Sequence, residues 1–212
     1  MKKKQKQNTP ASTKIAAFSM LAVLLIGLIY FLSVAFGNKV TLPVLGEPGH
    51  TAGAFSFTNQ DGKRLTEQSV LNKVTVVEYF FTSCPSICPV MNGNLKEVYE
   101  KFKTNPGFMI LSHTVDPERD SVSVLKKYAI RYNAETPGWQ FLTGSKDSLY
   151  QAASKDYLLA VEDSSNSDFI HTQYVALLDK KRQIRGFFDL TNKENVGKMN
   201  EAIGELLKDD DH

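Results

Sequence analysis

Cysteine is scarce in this chain of 212 residues, which contains only Cys84 and Cys88. Two cysteines are too few for a small fold held together by disulfides, or for a zinc ribbon with four cysteine ligands. Hydrophobic residues make up 42% and charged residues 23% of the sequence, as in ordinary globular proteins, which argues against a mainly disordered or coiled-coil chain. The composition therefore predicts one globular domain with an appendage, or two very small domains.

Acidic residues are absent before Glu47, whereas five lysines lie within the first fourteen positions. The whole chain has 25 Lys and Arg against 23 Asp and Glu, so without those lysines the remainder has 20 basic and 23 acidic residues. The surplus of positive charge is therefore confined to segment 1–14. Nothing in this balance indicates a nucleic-acid-binding surface, and we expect no nucleic-acid partner.

Charge is also absent from segment 15–36, which has the sequence IAAFSMLAVLLIGLIYFLSVAF. A helix of this length rises about 33 Å, enough to cross a hydrocarbon core of about 30 Å. The lysines before it predict a single-pass membrane anchor with a cytoplasmic N-terminus and an exported, periplasmic-type C-terminal part. The alternative is a signal peptide cleaved near 33–35, but the apolar run exceeds the usual ~7 to 15 residues. No cysteine stands directly after the run, which argues against a lipoprotein anchor.

Segment 37–54 is rich in Gly and Pro without periodicity, which predicts a tether leading to a domain at 55–212. Within that domain, strand-like and helix-like patterns follow in the order ββ, βαβα, βα and ββα. This order predicts a three-layer α/β sandwich whose parallel strands are completed by an antiparallel hairpin at 174–178 and 184–188. A buried central strand at 74–81 leads directly to the two cysteines.

The two cysteines are separated by three residues in the segment FFTSCPSICPVM, between the central strand and a predicted helix. A helical turn there would put both sulfurs on one face, and a helix N-terminus would lower their pKa. A permanent disulfide across so short a loop would add little stability, because the effect grows with loop length. The arrangement is similar to that of thioredoxin, which has two intervening residues, and it leaves thiol–disulfide exchange and metal binding both open.

Among four histidines, His171 is the best candidate for a third ligand. His50 in the tether and the terminal His212 should be solvated, and His113 should be a hydrogen-bonded residue at the end of a strand. His171 precedes the predicted hairpin, and in a thioredoxin-like topology that loop approaches the cysteine-bearing turn. Two thiolates and one imidazole suit Cu(I), or form three corners of a tetrahedron for Cu(II) or zinc. Because no third cysteine supplies a fourth ligand, copper is preferred over zinc.

These residues resemble the SCO/SenC family, membrane-anchored copper chaperones of cytochrome c oxidase assembly. The resemblance lies in CPSICP at 84–89, in SHTVDPERDS at 112–121 and in His171–Thr172, and it extends from about 55 to 207. It implies a thioredoxin-like fold of the peroxiredoxin type, with copper bound by Cys84, Cys88 and His171. It also implies copper delivery to, or thiol reduction at, the binuclear copper centre of oxidase subunit II.

One position departs from the family pattern, because Ser86 stands where family members often have Asp. No proposed ligand is lost, but the local charge at the site changes. Segment 116–120 is expected either to flank the site or to serve as a turn and helix cap.

Three functions stay open. The first is a copper metallochaperone whose further partners are a thiol reductant or another copper carrier. The second is a thiol:disulfide oxidoreductase or peroxiredoxin-like reductase that uses Cys84 and Cys88 catalytically, with His171 as a base or pKa modulator. The third is a membrane-tethered interaction domain with a structural disulfide.

Overall fold

The computed structural model describes residues 11–35, 42–159 and 172–208, with side chains of the first helix described at 20–32. The chain forms two compact units, Met1–Val40 and Thr41–His212, and the first contains helix α1 (Ala11–Ala35). Within the described ranges, no helix is both long enough and apolar enough to cross a membrane. The anchor at 15–36 therefore stays a prediction.

In the described part of the second unit, seven strands form one mixed sheet in the order β2-β1-β5-β4-β3-β6-β7. The strands are β1 (Ser56–Asn59), β2 (Arg64–Thr66), β3 (Val74–Phe80), β4 (Phe108–Thr114), β5 (Trp139–Thr143), β6 (Tyr174–Leu178) and β7 (Ile184–Asp189). Strands β3, β4 and β5 are parallel, and the antiparallel β6–β7 hairpin lies beside β3. The predicted parallel portion completed by an antiparallel hairpin is therefore confirmed.

Helices cover both faces of the sheet and make three layers. They are α2 (Ile87–Phe102), α3 (Val122–Arg131), α4 (Lys146–Gln151) and α5 (Lys193–Lys208). The apolar sides of α2, α3 and α5 pack in the cluster on one face, and α4 with the π-helical turn that follows it packs in the cluster on the other. Strands β3 and β4 are buried along their whole length, as expected for parallel strands covered on both sides.

Segment 42–54, which the sequence predicts to be a tether, contacts the domain. Leu45 forms an isolated β-bridge with Ile184 of β7, and its N–H donates to the Ile184 carbonyl at 2.8 Å. Arg185 donates to two backbone carbonyls of the segment, and Ala52 is buried in the apolar cluster on the α4 face. This part of the segment is therefore held against the edge strand β7.

Candidate functional site

The two cysteines lie where the parallel strands end. Strand β3 ends at Phe80, the loop after it contains Cys84, and Cys88 lies in the first turn of α2, which begins at Ile87. The residues between Cys84 and Ile87 are not helical, so the sulfurs meet through the loop and not along one helical face. Because β4 runs parallel to β3 and ends at the same edge, the loop after β4 lies next to the cysteine loop.

The two prolines set where α2 begins. Pro85 favours extended backbone at Cys84 before it, which keeps the helix from starting earlier. Pro89 is the third residue of α2, where its missing N–H removes no intrahelical hydrogen bond. Ser86 stands at the N-cap position, but its side chain makes no capping hydrogen bond. This local geometry leaves Cys84 half-buried and Cys88 buried.

Both thiols are free, and their pKa values differ. Partial burial raises the pKa of Cys84, but hydrogen bonds from the Cys88 thiol and from the backbone of Ser86 and Cys88 outweigh it and lower that pKa below its ordinary value. Burial raises the pKa of Cys88 far above its ordinary value, and the hydrogen bond to Cys84 raises it further. Cys84 is therefore the thiol that ionises first, and Cys88 is the one that retains its proton.

A cavity of about 200 Å³ lies beside the two cysteines. Its lining comes from the end of β3, the cysteine loop and the residue before β6, namely Tyr79, Phe80, Phe81, Cys84, Pro85, Ser86, Ile87, Cys88 and Thr172. Thr172 is buried, and its hydroxyl oxygen accepts a hydrogen bond from the Tyr174 N–H at 3.1 Å. The residue that directly follows His171 in the chain thus forms part of the cavity.

The predicted third ligand, His171, lies outside the described residues, as does His212. In the described part of the chain, no group of three or more His, Cys, Asp or Glu residues could hold a metal ion. The structure therefore brings Cys84 and Cys88 together, and the complete set of Cys84, Cys88 and His171 stays a prediction.

His50 and His113 both differ from expectation. His50 was expected to be solvated, but it is half-buried, with Nε2 3.0 Å from the carbonyl oxygen of Asp156. His113 lies at the end of β4, as predicted, but neither ring nitrogen has a hydrogen-bond partner among the described residues. Its ring is fully buried and stacks on Tyr79, with 5.0 Å between ring centroids. The predicted hydrogen-bonded role is therefore wrong, because aromatic side chains surround the ring.

The same burial determines the protonation of His113. Burial lowers the pKa of His113 to about 3. Backbone groups of Glu78 and Leu111 offset part of this effect, although they lie outside good hydrogen-bond geometry. His113 is consequently neutral over the whole physiological pH range.

Glu78 is a buried acid on the α2 side of β3 that sequence reasoning missed. Ser112 Oγ donates to one carboxyl oxygen at 2.6 Å, and Asn92 Nδ2 donates to the other at 3.0 Å. The Asn92 amide also donates to the carbonyl oxygen of Cys88, which connects Glu78 to the first turn of α2. Burial raises the pKa of Glu78 to about 8, although the Ser112 hydrogen bond acts in the opposite direction. The available signal was a single charged residue within the apolar run 74–81.

Segment 116–120 contacts the cysteine loop and does not cap α3. The buried carboxylate of Asp120 accepts hydrogen bonds from the Thr82 N–H at 3.1 Å and from the hydroxyls of Thr82 and Thr114. Ser121 stands at the N-cap position of α3 without a side-chain capping hydrogen bond. The expectation that this segment flanks the cysteines is confirmed. The predicted turn is also present, because the Arg119 and Asp120 N–H groups donate to the Asp116 carbonyl. The predicted helix cap is wrong, because Asp120 accepts hydrogen bonds from the neighbouring loop instead.

Comparison with known protein families gives one match that covers most of the chain. The family model SCO1/SenC matches residues 45–208. The SCO1 protein homolog of Bacillus subtilis (strain 168) is 33% identical over 145 residues, which cover 67% of this chain and 73% of the relative.

Solved structures with the same fold include two Sco proteins. BsSco, a member of the Sco family of cytochrome c oxidase assembly proteins in which a disulfide switch was identified, matches with a TM-score of 0.65 and 26% identity over 78% of this chain and 98% of its own. Yeast Sco1 with copper bound matches with a TM-score of 0.58 and 26% identity over 73% of this chain and 89% of its own. The sheet and helices described above thus have the thioredoxin-like fold of Sco proteins.

Proposed function

Because this chain belongs to the SCO1/SenC family, we propose that it is a membrane-anchored copper metallochaperone for the binuclear copper centre of cytochrome c oxidase. Copper is its cargo, held by the thiolates of Cys84 and Cys88 and by the imidazole of His171, and oxidase subunit II receives it. The relatives support this proposal, since BsSco belongs to a family of oxidase assembly proteins and yeast Sco1 has been solved with copper bound.

The observation that carries the proposal is the pair of free thiols at one cavity, bordered by the residue next to His171. Thiolate and imidazole are ligands that suit Cu(I). Among the described residues, the lining of the cavity has no carboxylate, so a metal there would meet soft sulfur ligands and not hard oxygen ligands. A set of three protein ligands also leaves a position for an incoming thiolate of the recipient.

The difference between the two thiols suggests an order of loading. Cys84 is half-exposed and has the lower pKa, so it is the first sulfur to offer a thiolate to the cargo. Cys88 must release its proton as the metal binds, because the thiolate and not the thiol is the ligand. Thiolates of the recipient then take over the cargo by ligand exchange from the open side of the cavity.

Oxidation of Cys84 and Cys88 to a disulfide would remove both sulfur ligands at once. Redox state would therefore gate copper binding, and a thiol reductant would restore the binding form. The disulfide switch of BsSco supports this part of the proposal.

A second candidate function is a thiol:disulfide oxidoreductase that acts on the cysteines of oxidase subunit II or of other exported proteins. The difference in exposure and pKa between the two thiols favours it, because a half-exposed thiol of lowered pKa such as Cys84 attacks a disulfide readily. The buried thiol of raised pKa would then resolve the mixed disulfide.

We infer that the copper-binding domain is exported. Segment 1–14 would be cytoplasmic, 15–36 a single-pass anchor, 37–54 a tether and 55–212 the domain. The five N-terminal lysines and the uncharged run after them support this orientation. An exported site also suits the proposed chemistry, because disulfides persist outside the cytoplasm.

Anaerobic Cu(I) titration of the reduced full-length chain, with a colorimetric Cu(I) chelator as competitor, tests the proposal. We expect the wild type to bind one copper. Cys84→Ser and His171→Ala should each weaken binding by about a hundredfold or more, because loss of a ligand should match or exceed the 10–100-fold effect of losing an outer-shell partner. His50→Ala is the matched control, since His50 is hydrogen-bonded to Asp156 and should leave copper affinity unchanged.

Exchange with glutathione disulfide distinguishes the two functions, because an oxidoreductase that uses His171 as a base or pKa modulator should exchange more slowly in His171→Ala. A chaperone site predicts that His171→Ala loses copper affinity while it keeps thiol exchange. Copper binding by His171→Ala at wild-type affinity would refute the three-ligand proposal.

A further inference from the structure

The carboxylate of Asp120 connects two loops that meet where the parallel strands end. Asp120 is 1% exposed, and its Oδ2 accepts hydrogen bonds from the Thr82 N–H at 3.1 Å and from Thr114 Oγ1 at 2.5 Å. Its Oδ1 accepts a third hydrogen bond from Thr82 Oγ1. Thr82 stands two residues before Cys84 and 38 residues before Asp120, so this contact is a product of the fold and not of local chain geometry.

Asp120 therefore holds the backbone that lies next to both sulfurs. The Cys84 N–H donates to the Phe81 carbonyl at 3.2 Å, which closes a turn around Thr82. The Phe81 N–H donates towards the Cys88 sulfur. A displacement of Thr82 would accordingly move the Phe81 N–H that faces Cys88 and the turn that contains Cys84.

We propose that Asp120 is a positioning residue for the Cys84–Cys88 pair, and that its hold on Thr82 keeps the sulfurs at the separation that disulfide formation and copper binding require. The consequence for copper rests on the proposed function, whereas the consequence for the disulfide does not. A prearranged pair loses less conformational freedom when the sulfurs are joined or bind a metal. Loss of Asp120 makes the disulfide easier to reduce and weakens copper binding.

The reduction potential of the Cys84–Cys88 pair tests this role in the full-length chain in detergent. The chain is equilibrated with reduced and oxidised glutathione, so that one protein disulfide forms as one oxidised glutathione becomes two reduced molecules. We expect Asp120→Ala to lower the equilibrium constant for disulfide formation about tenfold, a shift of about 30 mV towards higher potential. Asp179→Ala is the control, because Asp179 is another buried acceptor of backbone hydrogen bonds, in the β6–β7 turn.

Two threonine variants separate positioning from general stabilisation. Thr82→Val and Thr114→Val each remove one hydroxyl that donates to Asp120, but only Thr82 belongs to the cysteine loop. We expect Thr82→Val to raise the potential, while Thr114→Val and the hydroxyl-retaining Thr82→Ser keep the wild-type value. In the Asp120→Ala background, Thr82→Val should add no further shift, since the two residues act through one contact.

The proposal is overturned if Asp120→Ala shifts the potential no more than Asp179→Ala does. If Asp120→Ala does not fold, equal potentials for Thr82→Val and Thr114→Val overturn it. In Cu(I) titration, Asp120→Ala should bind copper 10- to 100-fold more weakly, the usual effect of losing an outer-shell partner. A shifted potential in a protein whose wild type binds no copper would support the positioning role and refute only the proposed function.

Discussion

Two buried ionisable side chains on opposite faces of the β3–β4 pair give stability opposite dependences on pH. The folded chain keeps His113 neutral with a pKa of about 3, whereas an ordinary histidine has 6.5, so the unfolded chain gains a proton first and stability falls as pH drops between these values. The folded chain keeps Glu78 protonated up to about pH 8, against an ordinary 4.5, so stability falls as pH rises across that interval. Together they favour an intermediate pH.

His113→Phe should remove the loss of stability in acid. Phenylalanine suits this position because Phe57, Tyr79 and Tyr157 surround the ring. At about 1.4 kcal/mol per pH unit, His113 should cost the wild type about 3 kcal/mol of unfolding free energy between pH 6.5 and pH 4, and the variant should be spared this loss. Urea unfolding followed by the fluorescence of Trp139, the only tryptophan, measures the difference.

Glu78→Gln is the control for His113→Phe, because Glu78 changes stability with pH in the opposite direction. Glutamine keeps the size and the hydrogen-bonding capacity of a neutral carboxyl group beside Ser112 and Asn92. This variant should lose stability more steeply than the wild type as pH falls from 6.5 to 4.5, where Glu78 no longer offsets His113, and should show a flatter stability profile between about pH 6.5 and pH 8. Equal slopes in acid for the wild type and His113→Phe would contradict the assignment of that slope to His113.

The residues that could be recognised from sequence have local signals, and those that were missed have distant partners. The cysteine pair is marked by its own spacing, by two prolines and by the strand before it. The role of Asp120 depends on Thr82, 38 residues away, and Glu78 accepts its shorter hydrogen bond from Ser112, 34 residues away. His113 was misjudged because its aromatic neighbours come together only in the folded sheet.

At the scale of elements, the order of strands and helices along the chain could be predicted, because hydrophobic periodicity is a local property of the sequence. The strands and α-helices of the described domain follow the predicted order along the chain, and β3, β6 and β7 lie within one residue of their predicted bounds. The lateral order of the strands could not be predicted, since β1 pairs with β5, far along the chain. The docking of segment 42–54 was also missed, because a composition rich in glycine and proline predicts a tether, and the few apolar residues that contact the domain show no periodic pattern.

The docked segment predicts a local effect of Arg185→Ala. The Arg185 guanidinium donates to the carbonyls of Leu42 and Pro43, at 2.5 and 3.1 Å, next to the Leu45–Ile184 bridge. Hydrogen bonds of a charged donor contribute about 1.5 kcal/mol or more each, so their loss should favour local opening about tenfold or more. Hydrogen–deuterium exchange at the Leu45 amide should accelerate accordingly.

Lys193→Ala is the matched control for Arg185→Ala, because it also removes a cationic side chain but lies far from Leu45 in the sequence. Lys193 pairs with Glu97 at 2.7 Å, and both side chains are exposed. This variant should leave exchange at Leu45 unchanged, because exposed ion pairs contribute little. Exchange at Leu45 that is as slow in Arg185→Ala as in the wild type would show that the β-bridge alone holds the segment.

At the scale of the whole molecule, the two site cysteines can report on the proposed topology. They are the only cysteines in the chain, so a thiol reagent labels nothing else. Five lysines precede the uncharged run 15–36, and the domain that follows has a small excess of acidic residues. This asymmetry is the basis for expecting the N-terminus in the cytoplasm and the thiols outside it.

A membrane-impermeant maleimide should therefore label reduced Cys84 in intact spheroplasts, with a chain that carries both Cys84→Ser and Cys88→Ser as the negative control. A cysteine introduced by Ser12→Cys, in a chain that also carries Cys84→Ser and Cys88→Ser, should be labelled only after the membrane is permeabilised. The half-exposed Cys84 should react before the buried Cys88, which has the higher pKa. Labelling of Cys84 only after permeabilisation would put the pair in a reducing compartment. A disulfide would not persist there, and redox gating of copper binding would lose its physical basis.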